Sequence, residues 1–439
     1  MRLYQLIPQS EILESYSKKT HSPGLQRLPI SSQDSEQEKH DLSNNILSAE
    51  MKIVTQSAWE MFSHAQSYIK AIDYNFWEYN CVPEKWMTNH SCWNMMARLF
   101  FRLSPINFRP SRPAGTYPVL PQSLNALLLA YDTAGDRKSV ELLFSRLLKL
   151  RSPLTQNFAL SQGTRISISL YDDEADVPTP LWTAWFANYL LKGQYSPITQ
   201  EEKHKLLLSI ADYFIYDLQY QDFGEHGIYF FYGHSLKDRI IYNASAIVSS
   251  VLLKIGWQYQ ISKYIELGQR GIKYIVESQN ADGSWFYAAP PAPPAIDSFH
   301  QAYIMTALQE TQLLKPTEKI QHSLDTAIEY YRNTFFRKKG QYVIPKRFDK
   351  RFTPKNTWIL QNFDGRDLAE AVHFFSSYHY NEEMLSGLLL FLHDYLYDEK
   401  KGFFYPEKLL GIRNKIPYLE FQGWYLVALT TFLKKVKEI

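Results

Sequence analysis

Apolar residues recur at three- and four-residue spacing through most of the chain. Examples are Ala58, Trp59, Phe62, Ala65 and Ile69, then Leu124, Leu127, Leu128 and Tyr131, then Leu206, Leu207, Ile210, Phe214 and Leu218. That period predicts helices with one apolar face. The same pattern runs over Ile240 to Ile255, Ile261 to Val276, Ile296 to Leu308, Leu324 to Phe335, Leu368 to Tyr378, Met384 to Leu396 and Leu419 to Leu433. The stretches between carry Gly, Pro, Asn and Asp, which interrupt helices. Only Gly340 to Ile344 and Gly402 to Tyr405 read as short extended pieces, so the chain is expected to be all-α.

A longer period lies over the short one. A helix end, a polar turn with Gly and an aromatic cluster recur as a unit. One copy is Tyr213, Leu218, Gln219, Asp222 and Gly224 with Tyr229 to Tyr232; a second is Tyr274, Gln279, Asp282, Gly283 and Trp285 to Tyr287. A third is Tyr330, Tyr331, Phe336, Gly340 and Tyr342; a fourth is Leu392, Leu396, Asp398 and Gly402 to Tyr405. After each comes a more apolar helix, and these start near Gln122, Val177, Arg239, Ile296, Arg366 and Leu419, about sixty residues apart. Such a period fits helical hairpins. Amphipathic partners fall near 138–151, 202–219, 260–278, 319–335 and 382–396, and the helix near 56–70 supplies the sixth. An N-terminal helix that backs the last inner helix closes a ring, and a closed ring has no end repeat to cap. The expected fold is therefore an (α/α)6 toroid over 56–439, with the helix near 89–103 as an extra element; an open array of hairpins is the alternative.

Residues 1–55 stand apart. From Gln9 to Asn45 the chain is rich in Ser, Gln, Glu and Lys and poor in aromatics, which predicts a flexible arm. Composition narrows the function. Lys and Arg number 47 against 45 Asp and Glu, so there is no electrostatic footprint for nucleic acid or an anionic membrane. No apolar run reaches the length of a membrane span, and Met1 to Lys19 has no signal-peptide core, so a cytoplasmic protein is expected. The two cysteines, Cys81 and Cys92, make neither a disulfide framework nor a zinc spacing. No phosphate-cradling Gly loop and no nucleophile elbow occurs. The 31 Tyr, 26 Phe and 10 Trp are the unusual feature.

Arg270, Gly271, Tyr274, Ile275, Gln279, Gly283 and Trp285 match the spacing of the QW motif, and the segment resembles the squalene-cyclase and protein-prenyltransferase superfamily. There the Gln and Trp tie a helix end to the next turn, which implies a toroid of the terpenoid-cyclase or six-hairpin-glycosidase kind but no particular reaction. Over about 70–435 the chain also resembles prenyltransferase-like toroid proteins found with capsule and exopolysaccharide biosynthesis genes. The shared residues are Ser104 to Pro110, Asp282 to Trp285, Ile296 to His300, Gly402 to Tyr405 and Gln422 to Trp424. That resemblance implies a polysaccharide context.

In a toroid every outer-to-inner connection emerges on one rim, so polar groups at the starts of the inner helices converge there. Asp297 and His300, three apart on one helix face, are the expected proton-moving pair; the competing reading has Asp297 as a cap. Asp364 and Asp367 fit a capping box, while Arg366 is harder to explain as a cap and is the expected anion holder. Glu420 is a second carboxylate, and Tyr242, Asn243, Trp182, Trp285 and Trp424 are candidate sugar contacts, the tryptophans being most simply read as core or QW-type packing. Arg239 and Gln422 lie on the same rim. Asp172, Asp173, Glu174 and Asp176 form an acidic run with the Asp-Asp-x-x-Asp pattern of a magnesium diphosphate site, or a solvated loop. Glu225 and His226 are either an acid/base pair or a surface turn.

Together these suggest an enzyme of surface-polysaccharide or glycan biosynthesis doing acid/base chemistry on a sugar or uronic-acid unit, as an epimerase, lyase or glycosidase. No cofactor is expected, although a divalent cation is possible. Two alternatives stay open. One is a terpenoid or prenyl-type cyclase or transferase. The other is a non-catalytic scaffold whose arm before residue 55 docks a partner of a biosynthetic complex.

Overall fold

The computed structural model describes residues 49–74, 93, 96, 120–163, 166–167, 172–233, 239–352, 363–406, 408–409, 412–413 and 418–436. Among these, twelve α-helices alternate between an inner and an outer ring. The inner ring is α2 (Pro121–Thr133), α4 (Pro180–Lys192), α6 (Tyr242–Tyr259), α8 (Ser298–Leu314), α10 (Gly365–Ser377) and α12 (Leu419–Lys435). The outer ring is α3 (Arg137–Leu148), α5 (Gln200–Asp212), α7 (Ser262–Glu277), α9 (Glu318–Phe335), α11 (Glu382–Phe391) and α1 (Ala49–Ala71). Each inner helix packs on its two inner neighbours, and α12 packs on α2. The N-terminal α1 lies against α12 and α11. The ring is closed as the hairpin count predicts.

Helix α1 begins at Ala49, earlier than the expected boundary at 56, and Met51 and Val54 are buried on its inner face. The apolar stripe of α1 thus extends back into the segment read as arm; the rest of that arm lies outside the described residues. So do Cys81, Cys92, Ser104 to Pro110 and most of the extra helix near 89–103, of which Trp93 and Met96 are helical.

Local chemistry starts most of these helices. Thr179 caps α4 ahead of Pro180, Thr199 and Glu202 form a capping box on α5, and Thr317 and Asn381 cap α9 and α11. Asp297 caps α8, and Asp364 with Asp367 forms the expected capping box on α10. Helices α5 and α11 each end in a wide π turn, Tyr213–Leu218 and Leu392–Leu396.

The repeated polar-Gly phrase folds into small hairpins that dock on the next outer helix. They are Tyr220–Asp222 with Ile228–Phe230, Phe336–Lys339 with Tyr342–Pro345, and Tyr397–Asp398 with Phe403–Phe404. Two of the turns show why glycine is needed. Gly283, at φ +89°, would place a Cβ 2.3 Å from the Thr326 carbonyl of α9, and Gly227, at φ +101°, 2.2 Å from the Arg270 carbonyl of α7. Gln279 bonds the Gly283 and Ser323 carbonyls at 3.0 and 2.9 Å, so it joins its own turn to α9. Phe403 meets Tyr68 of α1 at 5.5 Å between ring centroids, which brings the last turn onto the first helix.

A second device fixes the inner helices. The fourth residue of four of them bonds the main chain of the preceding cluster: Thr183 with Leu160, Ser245 with Phe230, Gln301 with Trp285, and Gln422 with Phe404. Equal anchoring sets equal depth. At 3.6 residues per turn, positions 2, 6, 9 and 13 of each inner helix then face the axis. The first layer is Gln122, Leu181, Asn243, Phe299, Arg366 and Glu420. The second is Ala126, Trp185, Ile247, Tyr303, Glu370 and Trp424. The third is Leu129, Asn188, Ser250, Thr306, His373 and Val427. The fourth is Thr133, Lys192, Lys254, Glu310, Ser377 and Thr431.

Candidate functional site

The first layer and its capping residues form one charged assembly. Asp297 accepts the His300 main-chain N–H at 3.1 Å through Oδ1 and holds the ring Nδ1 at 2.6 Å through Oδ2. The two roles weighed from sequence, cap and partner, are thus both filled by one carboxylate. With Nδ1–H given to Asp297, Nε2 carries the lone pair of the neutral ring. Burial lowers the His300 pKa against the pull of Asp297, so the ring is neutral at pH 7. Burial also works against ionised Asp297, but Arg347 and His300 outweigh it and hold that carboxylate at about 2. His300 keeps 16% of its side-chain surface exposed, so the pair is reachable.

Arg366 lies next to this pair. It donates to Asp364 through Nε at 3.0 Å and through a terminal nitrogen at 2.9 Å, and sits 3.3 Å from Glu420. This gives it a structural reason that the sequence reading lacked: it is the counter-ion of the α10 cap and of Glu420. The expected free anion holder is thus already engaged by two protein carboxylates. Burial opposes ionised Asp364, but Arg366 wins and lowers its pKa. Burial raises the pKa of Glu420 against Arg366, and its Oε2 has no protein partner while Gln122 donates to Oε1.

Sequence reasoning missed Arg347. It follows the Tyr342–Pro345 strand and reaches in to Asp367 at 3.1 Å and Asp297 at 3.5 Å. Its guanidinium and that of Arg366 lie 3.9 and 4.2 Å from the Phe299 ring centroid. Nothing in the local pattern at Lys346-Arg347 marks it, because only the packing of neighbouring hairpins, with Phe348 bridged to Asp297, brings that loop over α8 and α10. Glu370 and His373 were missed too. A signal was available: a carboxyl and an imidazole three apart on an otherwise apolar helix share the buried face.

The other sequence candidates divide. Asn243 is buried in the first layer with neither amide atom partnered by protein. Tyr242 is buried with its ring stacked on Tyr274. Trp182 meets Trp185 edge-on at 6.4 Å between centroids. Trp285 is fully buried and gives its Nε1–H to the Ile275 carbonyl at 2.9 Å, so it is a core anchor and no platform for a sugar. Trp424 is buried against Trp185, at 4.6 Å and nearly perpendicular. Gln422 is a main-chain clamp. Asp172 and Asp173 form a short strand paired with Ile166–Ser167, and Asp173 is buried with Gln162 donating to it at 3.4 Å. Asp176 is exposed beyond it in a turn. Among the described residues no group of three or more His, Cys, Asp or Glu is arranged to hold a metal ion. His226 is exposed and bonds Glu277 at 3.1 Å, which makes it and Glu225 a surface turn. Arg239 is exposed.

No family model and no curated protein matches the sequence. Solved structures do match in fold. A family 76 glycoside hydrolase from a bovine Bacteroides thetaiotaomicron strain superposes with a TM-score of 0.58 at 11% identity, over 87% of this chain and 78% of that one. A family 76 mannosidase of Bacteroides thetaiotaomicron gives 0.56 at 11% identity, over 86% and 99%. A D-mannose isomerase gives 0.54 at 11% identity, over 89% and 100%. The fold is the six-hairpin (α/α)6 toroid. At such identities the likeness is one of fold, and the chemistry rests on the residues within this toroid.

Proposed function

We propose that this toroid is a carbohydrate-active enzyme that moves protons on a sugar unit at the end where its inner helices begin. The observation that carries the reading is the His300 ring, oriented by Asp297 at 2.6 Å and still open on one side. His300 Nε2 takes a proton from the substrate or returns one. Asp297 positions the ring and stabilises its charged form. Glu420, raised by burial and with one oxygen unpartnered, is the second proton-carrying group. Arg366 and Arg347 hold the surrounding carboxylates in place. The named structural neighbours act on sugars, and the motif resemblance points to surface polysaccharide, so the substrate class is a pyranose unit of a glycan or its precursor.

The test is incubation of the purified protein in D2O with mannose, N-acetylmannosamine, uronic acids and mannan oligosaccharides. Deuterium uptake at a ring carbon, an isomerised sugar or a new reducing end is the expected result. His300→Gln is expected to lower that rate about 10²–10⁴-fold with the fold intact by circular dichroism. Equal rates for the variant and the wild type end the proposal.

A further inference from the structure

The opposite end of the ring, where the inner helices finish, holds a cavity of about 520 Å³. Its origin lies in the layers. Trp185, Tyr303 and Trp424 of the second layer meet across the axis, with centroids 4.6–6.3 Å apart, and form a floor together with Glu370. This floor separates the cavity from the His300 end. Beyond it the third-layer side chains of the neighbouring helices α6 and α8, Ser250 and Thr306, are short and leave space on their side of the axis.

The walls carry polar atoms that no protein group satisfies: Asn125 Oδ1, Trp185 Nε1, Ser250 Oγ, Tyr303 OH, Thr306 Oγ1 and Ser376 Oγ. Ser250, Tyr303 and Ser376 are 2%, 3% and 0% exposed. Interiors are otherwise close-packed and paired. A cluster of unpaired groups around one space marks a binding chamber.

The inner wall carries no fixed charge, and the ionisable groups of the lining other than Glu370 and His373, namely Asp132, Lys192, Glu310, Lys434 and Lys435, come from the last turns of the inner helices. Burial pushes Glu370 up to about 8 and His373 down to about 4, so neither is charged at pH 7. The charges sit farther out, where Glu310 is held between Lys192 and Lys254. We infer that the chamber binds a neutral, polyhydroxylated ring compound of pyranose size, its apolar face on Trp185 and Tyr303 and its hydroxyls bonded to Ser250, Thr306 and Ser376. Mixed donors and acceptors suit hydroxyls, which do both, and the aromatic floor suits the C–H face of a sugar ring. The lysines of the lining, Lys192, Lys434 and Lys435, belong to the last turns of α4 and α12, a turn or more beyond the third layer that holds Ser250 and Thr306. This site is independent of the proposed chemistry at His300.

The full-length protein is titrated at pH 7 with D-glucose, D-mannose, myo-inositol and D-glucuronate, followed by tryptophan fluorescence and calorimetry. At least one neutral probe is expected to bind at a single site, with glucuronate roughly tenfold weaker. The double variant Thr306→Val, Ser376→Ala is expected to weaken binding roughly tenfold at an unchanged melting temperature, since it removes two hydroxyl bonds. His300→Gln is expected to leave binding intact while activity falls. The inference is overturned if no neutral probe saturates by about 50 mM, well beyond a millimolar Kd. It is equally overturned if the double variant binds as the wild type does, if glucuronate binds as tightly as the neutral probes, or if His300→Gln abolishes binding.

Discussion

At the start of the inner helices, Arg366 is ringed by Asp364 and Glu420, and Arg347 by Asp367 and Asp297. At their finish, Ser250, Thr306, Ser376 and Tyr303 surround a space with no protein partner for their polar atoms. Both regions are buried and both are polar. The first balances charge with charge and so locks its members into one geometry, which favours a preorganised reaction site. The second gathers unpaired hydroxyls on its inner wall, which favours a ligand that brings its own hydroxyls. The same helix stripe supplies both, so the difference comes from which side chains the sequence sets at each depth.

The largest expected effect is at the charged end. Arg366→Met leaves Asp364 and Glu420 buried without their cation, and breaking such a pair costs about 3–5 kcal/mol. Urea unfolding measures this. A loss below about 1 kcal/mol would mean that the network is not a unit, and the contrast between the two ends would fail.

An intermediate effect is expected at the floor between them. Glu370 titrates near 8 in the folded chain, against about 4.3 when unfolded. Its stabilising contribution is therefore full below about pH 4 and is lost as the pH rises through 8. Glu370→Gln keeps the shape without the charge. Relative to wild type, it is expected to be equally stable near pH 4 and more stable near pH 8, by on the order of a few kcal/mol. Thermal melts across that range check the sign; a flat difference would show that Glu370 titrates alike in the folded and the unfolded chain.

The smallest effect is expected in the chamber wall. Thr306→Val swaps an unpartnered hydroxyl for a methyl of similar shape, so stability is expected to stay within about 0.5 kcal/mol. A loss like that of Arg366→Met would reveal a structural bond to Thr306 and erase the distinction.

Much of the fold was legible from the pattern. The starts expected near Gln122, Arg239, Ile296 and Arg366 fall within three residues of α2, α6, α8 and α10, because Pro, Asp and Gly punctuate the chain where helices begin. The Asp364–Asp367 capping box was readable because it is local. Asp297 and His300 were readable as a pair because they lie on one helical turn. The bond of Arg366 to Glu420 was not legible because Glu420 is remote in sequence and meets it only where α10 packs on the neighbouring α12. Trp285 was ambiguous because a tryptophan after a turn serves as an anchor or as a platform, and only its depth decides.

By itself, then, the sequence determined what is local and periodic: helices, their caps, the sixty-residue repeat and hence a ring of six hairpins. Tertiary structure alone decided depth. Closing the ring set which of positions 2, 6, 9 and 13 meet across the axis, and depth governs desolvation. That is why Glu370 and His373, ordinary in the sequence, become a neutral acid and a neutral imidazole. It is also why the charged layer and the open chamber lie on opposite sides of an aromatic floor.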